Sequence, residues 1–300
     1  MLRSVDRMSL LVNSTTGPTV YDHLDPGADL DLRADNTTVD IAQILKAKKN
    51  NTILNSGCMF VFGVLGNVLA LIVLKRSDPE IKRKLFYRLV AGLTLTDLLG
   101  TCATSPVVMS VYINDFKWIG GDPMCKYFTF MMVFAGSGTM AIVCLMAVER
   151  LICIRHPYLY YSRLRKRHAT YFLLSAWGFA AFIASLPLIG FGKIVLQYPY
   201  TWCFIDYYTH DPTDKAFNYL WAIAALIIIS VTVTCNGVVL YTLFRTKMRG
   251  LSRTSSENSR TFSGYSRRYA ECQMAVLLIG ITIVFSSCYA PLMVSKSNNL

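Results

Sequence analysis

Asp97 stands in the run Leu93-Thr-Leu-Thr-Asp-Leu-Leu99, inside a long apolar segment. A carboxyl group buried among hydrocarbon is expensive, so it marks either a satisfied packing contact or a working group. Both readings stay open: a carboxylate hydrogen-bonded to neighbours such as Asn67, or a buried switch coupled to an ion or a proton. Glu149 and Arg150 are adjacent at the end of another apolar segment that His156-Pro157 stops, because the residue before a proline is pushed out of the helical region. An interfacial pair of this kind can simply extend its charged ends to water. Alternatively it is a charge pair that holds one face of a bundle closed and frees Arg150 on opening. Three prolines within apolar segments, Pro106, Pro187 and Pro291, each remove a backbone donor and predict kinks.

The elements that carry these residues are apolar and long. Six stretches stand out: Ile53–Leu74, Leu85–Ile113, Tyr127–Ile154, Tyr171–Phe191, Phe217–Phe244 and Cys272–Val294. A bilayer core takes about 20 mostly apolar helical residues, and a soluble helix of this length would show a polar stripe, which these lack. The chain has 300 residues, 53% hydrophobic and 16% charged, with a formal net charge of +12. That excludes a disordered chain and disfavours a soluble domain, which carries about a quarter charged residues.

The charge is sorted by loop. Lys75, Arg76, Lys82, Arg83, Lys84 and Arg88 outnumber Asp78 and Glu80 in the first connection. Arg150, Arg155, Arg163, Arg165, Lys166 and Arg167 face only Glu149 in the third, and the fifth carries Arg245, Lys247, Arg249, Arg253, Arg260, Arg267 and Arg268 against Glu257 and Glu271. The tail and the even connections are balanced or slightly acidic. By the positive-inside rule the odd connections are cytoplasmic and the N-terminus is extracellular, so the positive charge marks orientation in a lipid bilayer and predicts no nucleic-acid partner.

The expected organisation is an extracellular tail over residues 1–52, a transmembrane bundle over 53–294 and a polar end over 295–300. The tail carries acceptor sequences for N-glycosylation at Asn13, Asn36 and Asn50, consistent with an outer location. No signal-peptide pattern precedes it. No internal repeat supports a transporter. Of nine cysteines, only Cys125 and Cys203 fall in outer segments, where oxidation is possible; they are the natural pair, tying the long fourth connection to the third helix. The sequence predicts no catalytic residue, no metal site and no cofactor.

Gly66-Asn67, Leu93-x-x-x-Asp97, Cys125, Glu149-Arg150, Trp177 and Pro291, in this order and at these spacings, resemble the rhodopsin-like G-protein-coupled receptors. The run Gln197-Tyr-Pro-Tyr-Thr-Trp-Cys-Phe204 is similar to the prostanoid receptor signature. Phe86-Tyr87, Thr96-Asp-Leu-Leu-Gly-Thr101, Ser105-Pro-Val107, Glu271-x-Gln-Met274 and Pro291-Leu292 resemble the prostaglandin E receptors, fourth subtype. The resemblance implies a plasma-membrane receptor for prostaglandin E2 or a related prostanoid, coupled to a heterotrimeric G protein of the stimulatory type and to cyclic AMP. It implies that Tyr112 and Thr201 hydrogen-bond the ligand carboxylate and that Trp202 shapes the lid, with Cys125 bridged to Cys203. It also implies that Asn67, Asp97, Glu149, Arg150 and Pro291 serve activation and G-protein coupling. The outer halves of the stretches lack charge, which suits an apolar acid better than an amine.

These receptors have seven helices, and the sequence shows six stretches. The fold class expected is therefore an all-α membrane protein, a rhodopsin-like bundle with six of seven transmembrane helices present. The absent helix would supply the arginine that pairs with the ligand carboxylate, so weakened or abolished ligand binding is expected of a chain that ends after helix six. A second reading follows: a non-signalling truncated receptor that associates with full-length receptors and modulates them.

Overall fold

A computed structural model describes residues 30–77, 85–163, 166–251 and 280. Five of its helices are long and apolar enough to cross a membrane among the described residues. The sixth apolar stretch, with Pro291, lies outside them except for Gly280, as do Asn13 and residues 295–300.

Helix α1 spans Leu30–Arg76 and ends on the basic pair Lys75 and Arg76, which favours the negative end of the helix dipole. It continues upstream of the apolar stretch that starts at Ile53. The reason is local: no Pro or Gly interrupts residues 30–56, so a helix nucleated in the apolar stretch propagates upstream. Asn36 and Asn50 therefore lie in a helix, with Asn50 exposed. Helix α2 spans Leu85–Ile113 and keeps Pro106 within it.

Helix α3, Gly121–Arg155, starts after Gly120 in the left-handed region (φ 89) with Asp122 in its first turn, and its C-cap is His156, where Pro157 stops it as expected. A short helix α4, Pro157–Arg163, follows. Helix α5 spans Lys166–Ser185. Pro187 does not kink this helix: it stands at the start of a 3-10 turn over Leu186–Ile189, so the missing N–H ends the α-helix. Gly190, at φ 93, closes the turn, a conformation that favours glycine.

The long connection that follows adds a β element to the expected helical bundle. Strands β1 (Ile194–Gln197) and β2 (Trp202–Ile205) pair antiparallel, with Leu196 opposite Cys203. The turn places Tyr200 at φ 69, and its N–H donates to the Gln197 carbonyl. Helix α6, Pro212–Leu251, then carries the fifth apolar stretch and extends past it at both ends.

Helix α3 is the hub: it packs against α2, α5 and α6 and against both strands. Small residues allow the close approach. Gly100 on α2 faces Ala135 on α3, and Gly138 on α3 faces Thr96, Ala180 and Trp177. One core cluster joins Phe86, Leu89 and Leu93 to Ile142, Val143 and Met146 and to Ala169 and Ala176. A second joins Val133, Ile183, Phe204, Ile205, Phe217 and Trp221. The α1 span, in contrast, buries none of its apolar window, as a helix facing lipid can.

Candidate functional site

At the hairpin end, Cys125 and Cys203 form a disulfide with Cα atoms 5.2 Å apart. Because Cys203 is a β2 residue, the bridge pins the strand to α3 near its start. Thr201 is the residue before that strand and is only 2% exposed. Trp202 is half-buried and packs against two clusters, one around Phe204 and Trp221 and the other around Cys125 and Phe128 with Val107 and Val108 of α2. Trp202, the residue expected to shape the lid, thus touches both clusters. Tyr112, at the same end of α2, packs edge-on against Phe116 with ring centroids 5.4 Å apart. Among the described residues no hydrogen bond joins Tyr112 to Thr201. The α6 start is fixed beside the hairpin, where Asn218 Nδ2 donates to the Asp206 carbonyl at 2.9 Å.

Midway along the bundle, Thr139 Oγ1 donates to Asp97 Oδ1 at 2.7 Å. The carboxyl group is therefore a bonded one, and its partner is on α3. Asn67, the neighbour suggested by sequence, donates instead to the Gly63 carbonyl of its own helix at 2.9 Å. Beside Asp97, Trp177 Nε1 donates to Thr96 Oγ1 at 2.8 Å, and Thr96 donates on to the Gly92 carbonyl at 2.8 Å. These bonds tie α2, α3 and α5 at one level. Trp221 Nε1 reaches Ser137 Oγ at 3.4 Å and adds α6 to the same layer.

At the opposite end, Glu149 and Arg150 are buried, at 3% and 6% exposure. An interfacial pair that merely extends into water is thereby excluded. Arg150 Nε lies 3.1 Å from Glu149 Oε2, and the guanidinium sits 3.8 Å from the centroid of the Phe86 ring, a cation–π arrangement. The other carboxylate oxygen accepts a hydrogen bond from the Tyr160 hydroxyl at 2.5 Å. Burial, and next the Glu149 charge, push the Tyr160 hydroxyl well above the ordinary tyrosine range, so it remains a protonated donor. Sequence reasoning missed Thr139 and Tyr160. The signal for Tyr160 was the aromatic run Tyr158-Leu-Tyr-Tyr161 directly after the helix-stopping Pro157, which folds the chain back under Glu149. Among the described residues no His, Cys, Asp and Glu cluster is arranged to hold a metal ion.

Comparison with known proteins agrees with this arrangement. Residues 66–298 match the family described as 7 transmembrane receptor (rhodopsin family). The chain belongs to that family of multi-pass plasma-membrane proteins, whose members are receptors rather than enzymes. Among its relatives, it is 36% identical to the human prostaglandin E2 receptor EP4 subtype over 282 residues, covering 84% of this chain and 58% of that receptor. It is also 36% identical to the rat prostaglandin E2 receptor EP2 subtype over 256 residues, covering 79% of this chain and 70% of that receptor. The fold is that of squid rhodopsin, with a TM-score of 0.72 at 17% identity over 94% of this chain and 77% of that one. Within the rhodopsin family the chain is thus prostanoid-receptor-like. It spans little more than half the length of the EP4 receptor it matches.

Proposed function

We propose that the protein is a prostanoid receptor that couples binding of prostaglandin E2 or a related prostanoid to a heterotrimeric G protein of the stimulatory type, raising cyclic AMP. The observation that carries this reading is Thr201: a hydroxyl-bearing residue buried to 2% exposure under a disulfide-pinned hairpin. In apolar surroundings, few but well-placed polar groups fix the orientation of a ligand. Thr201 and Tyr112 hydrogen-bond the carboxylate of the lipid, and Trp202 closes over it. At the other end Glu149 and Tyr160 hold Arg150 in place, and activation releases the guanidinium toward the G protein. Pro291, Asp97 and Asn67 serve the activation step, Asp97 through its bond to Thr139 and Asn67 from α1. The basic connections orient this end to the cytoplasm, with the N-terminus and its glycosylation acceptors Asn13, Asn36 and Asn50 outside.

The test is saturation binding of tritiated prostaglandin E2, with cyclic AMP measured in parallel, on cells expressing the protein. Saturable binding is expected, and Thr201→Ala lowers affinity by about tenfold, as the loss of a hydrogen bond to a charged group does. Absence of saturable binding by a protein that reaches the cell surface refutes the reading.

A further inference from the structure

Of the thiols described outside the hairpin bridge, Cys58 and Cys102 are exposed on α1 and α2, and Cys153 lies beside Tyr160. Cys144 and Cys235 differ: they come from two helices and share one layer of the bundle. Among the described helices α6 packs chiefly against α3, and toward the hairpin end of that seam Trp221 Nε1 meets Ser137 Oγ at 3.4 Å. Further along, Thr232 and Cys235 are buried, at 3% and 7% exposure. Residues three apart on a helix share a face, and this face of α6 is turned to α3. Thr232 Oγ1 donates to the Ile228 carbonyl at 2.7 Å, so its oxygen is left to accept the S–H of Cys144, its hydrogen-bond partner on α3. Cys235 interacts electrostatically with the same Cys144 sulfur. Of the two thiols Cys144 is half-buried and Cys235 is buried.

A buried thiol by itself behaves as a small apolar group. Two thiols on facing helices can do more: they can ligate a soft cation, or they can be oxidised to a disulfide. Ligation requires both thiols to lose their protons. That leaves two thiolates in an apolar layer around a single monovalent charge, and an uncompensated buried charge is costly. The disulfide is neutral, and its formation removes two S–H groups that the layer otherwise has to satisfy. The surroundings therefore favour the covalent bond over the metal.

We propose that Cys144 and Cys235 are a modification site, at which hydrogen peroxide closes an intramembrane disulfide between α3 and α6. Cys144, the more accessible sulfur, reacts first. The O–O bond of the peroxide breaks, one oxygen joins the sulfur as a sulfenic acid, and the other leaves as water with the thiol proton. The Cys235 sulfur then attacks the Cys144 sulfur. The S–S bond forms, the S–O bond breaks, and the hydroxyl leaves as a second water with the Cys235 proton. The peroxide gains the two electrons that the thiols lose. The bond ties α3 to α6 between the Trp221–Ser137 contact and Arg150. The site rests on the packing of these two helices and stands apart from ligand recognition and G-protein coupling.

The experiment uses the full chain in nanodiscs, exposed to hydrogen peroxide, then unfolded in the presence of N-ethylmaleimide and digested without reductant for mass spectrometry. A peptide pair linked through Cys144 and Cys235 appears and is released by dithiothreitol. The control C58S/C102S keeps the linked pair. C235S loses it and holds Cys144 as the sulfenic acid, so dimedone labels Cys144 about fivefold more than in the parent. Should C235S not be recovered folded, C144A gives neither the link nor dimedone labelling at Cys235. Absence of the linked pair at a peroxide dose that oxidises Cys58 or Cys102 overturns the proposal, as does a link that forms only after the protein is unfolded in dodecyl sulfate. Cu(I) added alone and retained by the parent but not by C235S, with no link after peroxide, makes the pair a metal site and overturns the disulfide.

Discussion

Replacing Tyr160 by Phe removes one oxygen and leaves the ring. The ring is 8% exposed, so its packing is retained and the change isolates the hydrogen bond to Glu149 Oε1. Hydrogen bonds to charged groups contribute about 1.5–3 kcal/mol net. The lower end applies here, because the freed oxygen can turn toward the Arg150 guanidinium, whose Nε already lies 3.1 Å from Oε2. Under the proposed function, in which activation releases Arg150, a loss of about 1.5 kcal/mol raises the population of the released state by about tenfold, since 1.36 kcal/mol is a factor of ten. The assay is ligand-free nucleotide exchange on purified stimulatory G protein by the protein in nanodiscs, with thermal unfolding recorded alongside. Basal exchange rises severalfold in Tyr160→Phe.

Two features sharpen the test. The Tyr160 hydroxyl is pushed upward in pKa, so the bond it donates is fully present below the unfolded value, about pH 10, and is lost only as pH rises through the still higher folded value. The effect of the substitution is therefore the same at about pH 6 and about pH 8. Tyr160 also acts through Glu149, so Tyr160→Phe adds little once Glu149 is Ala, a non-additivity that a double-mutant cycle reads. Basal exchange and unfolding midpoint both unchanged in Tyr160→Phe, or full additivity with Glu149→Ala, refute the reasoning.

Three further outcomes follow from the geometry. A Cβ at Gly100 meets the Ala135 Cβ at 2.6 Å, and neither atom can retreat without moving a helix; Gly100→Ala costs about 1–3 kcal/mol in thermal unfolding and Ala135→Gly restores most of it. Cys203→Ser opens a link between residues 78 apart in sequence, for which a free chain would lose about 4.5 kcal/mol, but α3 and α5 stay in the bilayer and limit the freed segment to the hairpin connection, so about 2–3 kcal/mol is expected, matched by adding reductant to the parent. Asp211 Oδ1 accepts from the N–H groups of Thr213 and Asp214, which lowers its pKa; the stabilisation is present above the unfolded value, about pH 4, and is lost as pH falls through the lower folded one. Protection factors of amides in the first turn of α6, corrected for intrinsic exchange, therefore fall on acidification below about pH 4, and fall less in Asp211→Asn, which cannot titrate.

The membrane helices were legible in the sequence because burial in lipid demands about 20 apolar residues in a row, whatever the neighbours are. Their ends were not: α6 runs from Pro212, beyond the apolar stretch that starts at Phe217, since a helix continues into water wherever capping and propensity allow. The Cys125–Cys203 pair was legible by location. The hairpin that carries Cys203 was not, because four-residue strands leave almost no periodic signal. Asp97 was legible as a costly group, but its choice of Thr139 over Asn67 depends on how α1, α2 and α3 are rotated about their axes. Tyr160 was hidden for a similar reason: its partner lies 11 residues back across a helix stop.

These bonds share one feature that no single segment displays. Cys125, Thr139 and Glu149 all belong to α3, and each holds a partner from another element: β2 through the disulfide, α2 through Asp97, α4 through Tyr160. The helix is thereby fixed at its hairpin end, its middle and its Arg150 end. Gly138 lets it lie close to Thr96 and Ala180 between the outer two anchors. A helix rotates as a body when its packing allows it, because interiors are too dense to absorb a local shift. A displacement of β2 therefore reaches Glu149 only if the Asp97–Thr139 bond yields or turns with the helix. Replacing Thr139 by Val, which keeps the shape and removes the donor, separates the two: it loosens the middle anchor while leaving the disulfide and the Glu149–Tyr160 bond in place. Ligand-free exchange then changes without the loss of the Tyr160 effect. If Thr139→Val instead abolishes the effect of Tyr160→Phe, the middle and the Arg150 end form one unit rather than two anchors in series.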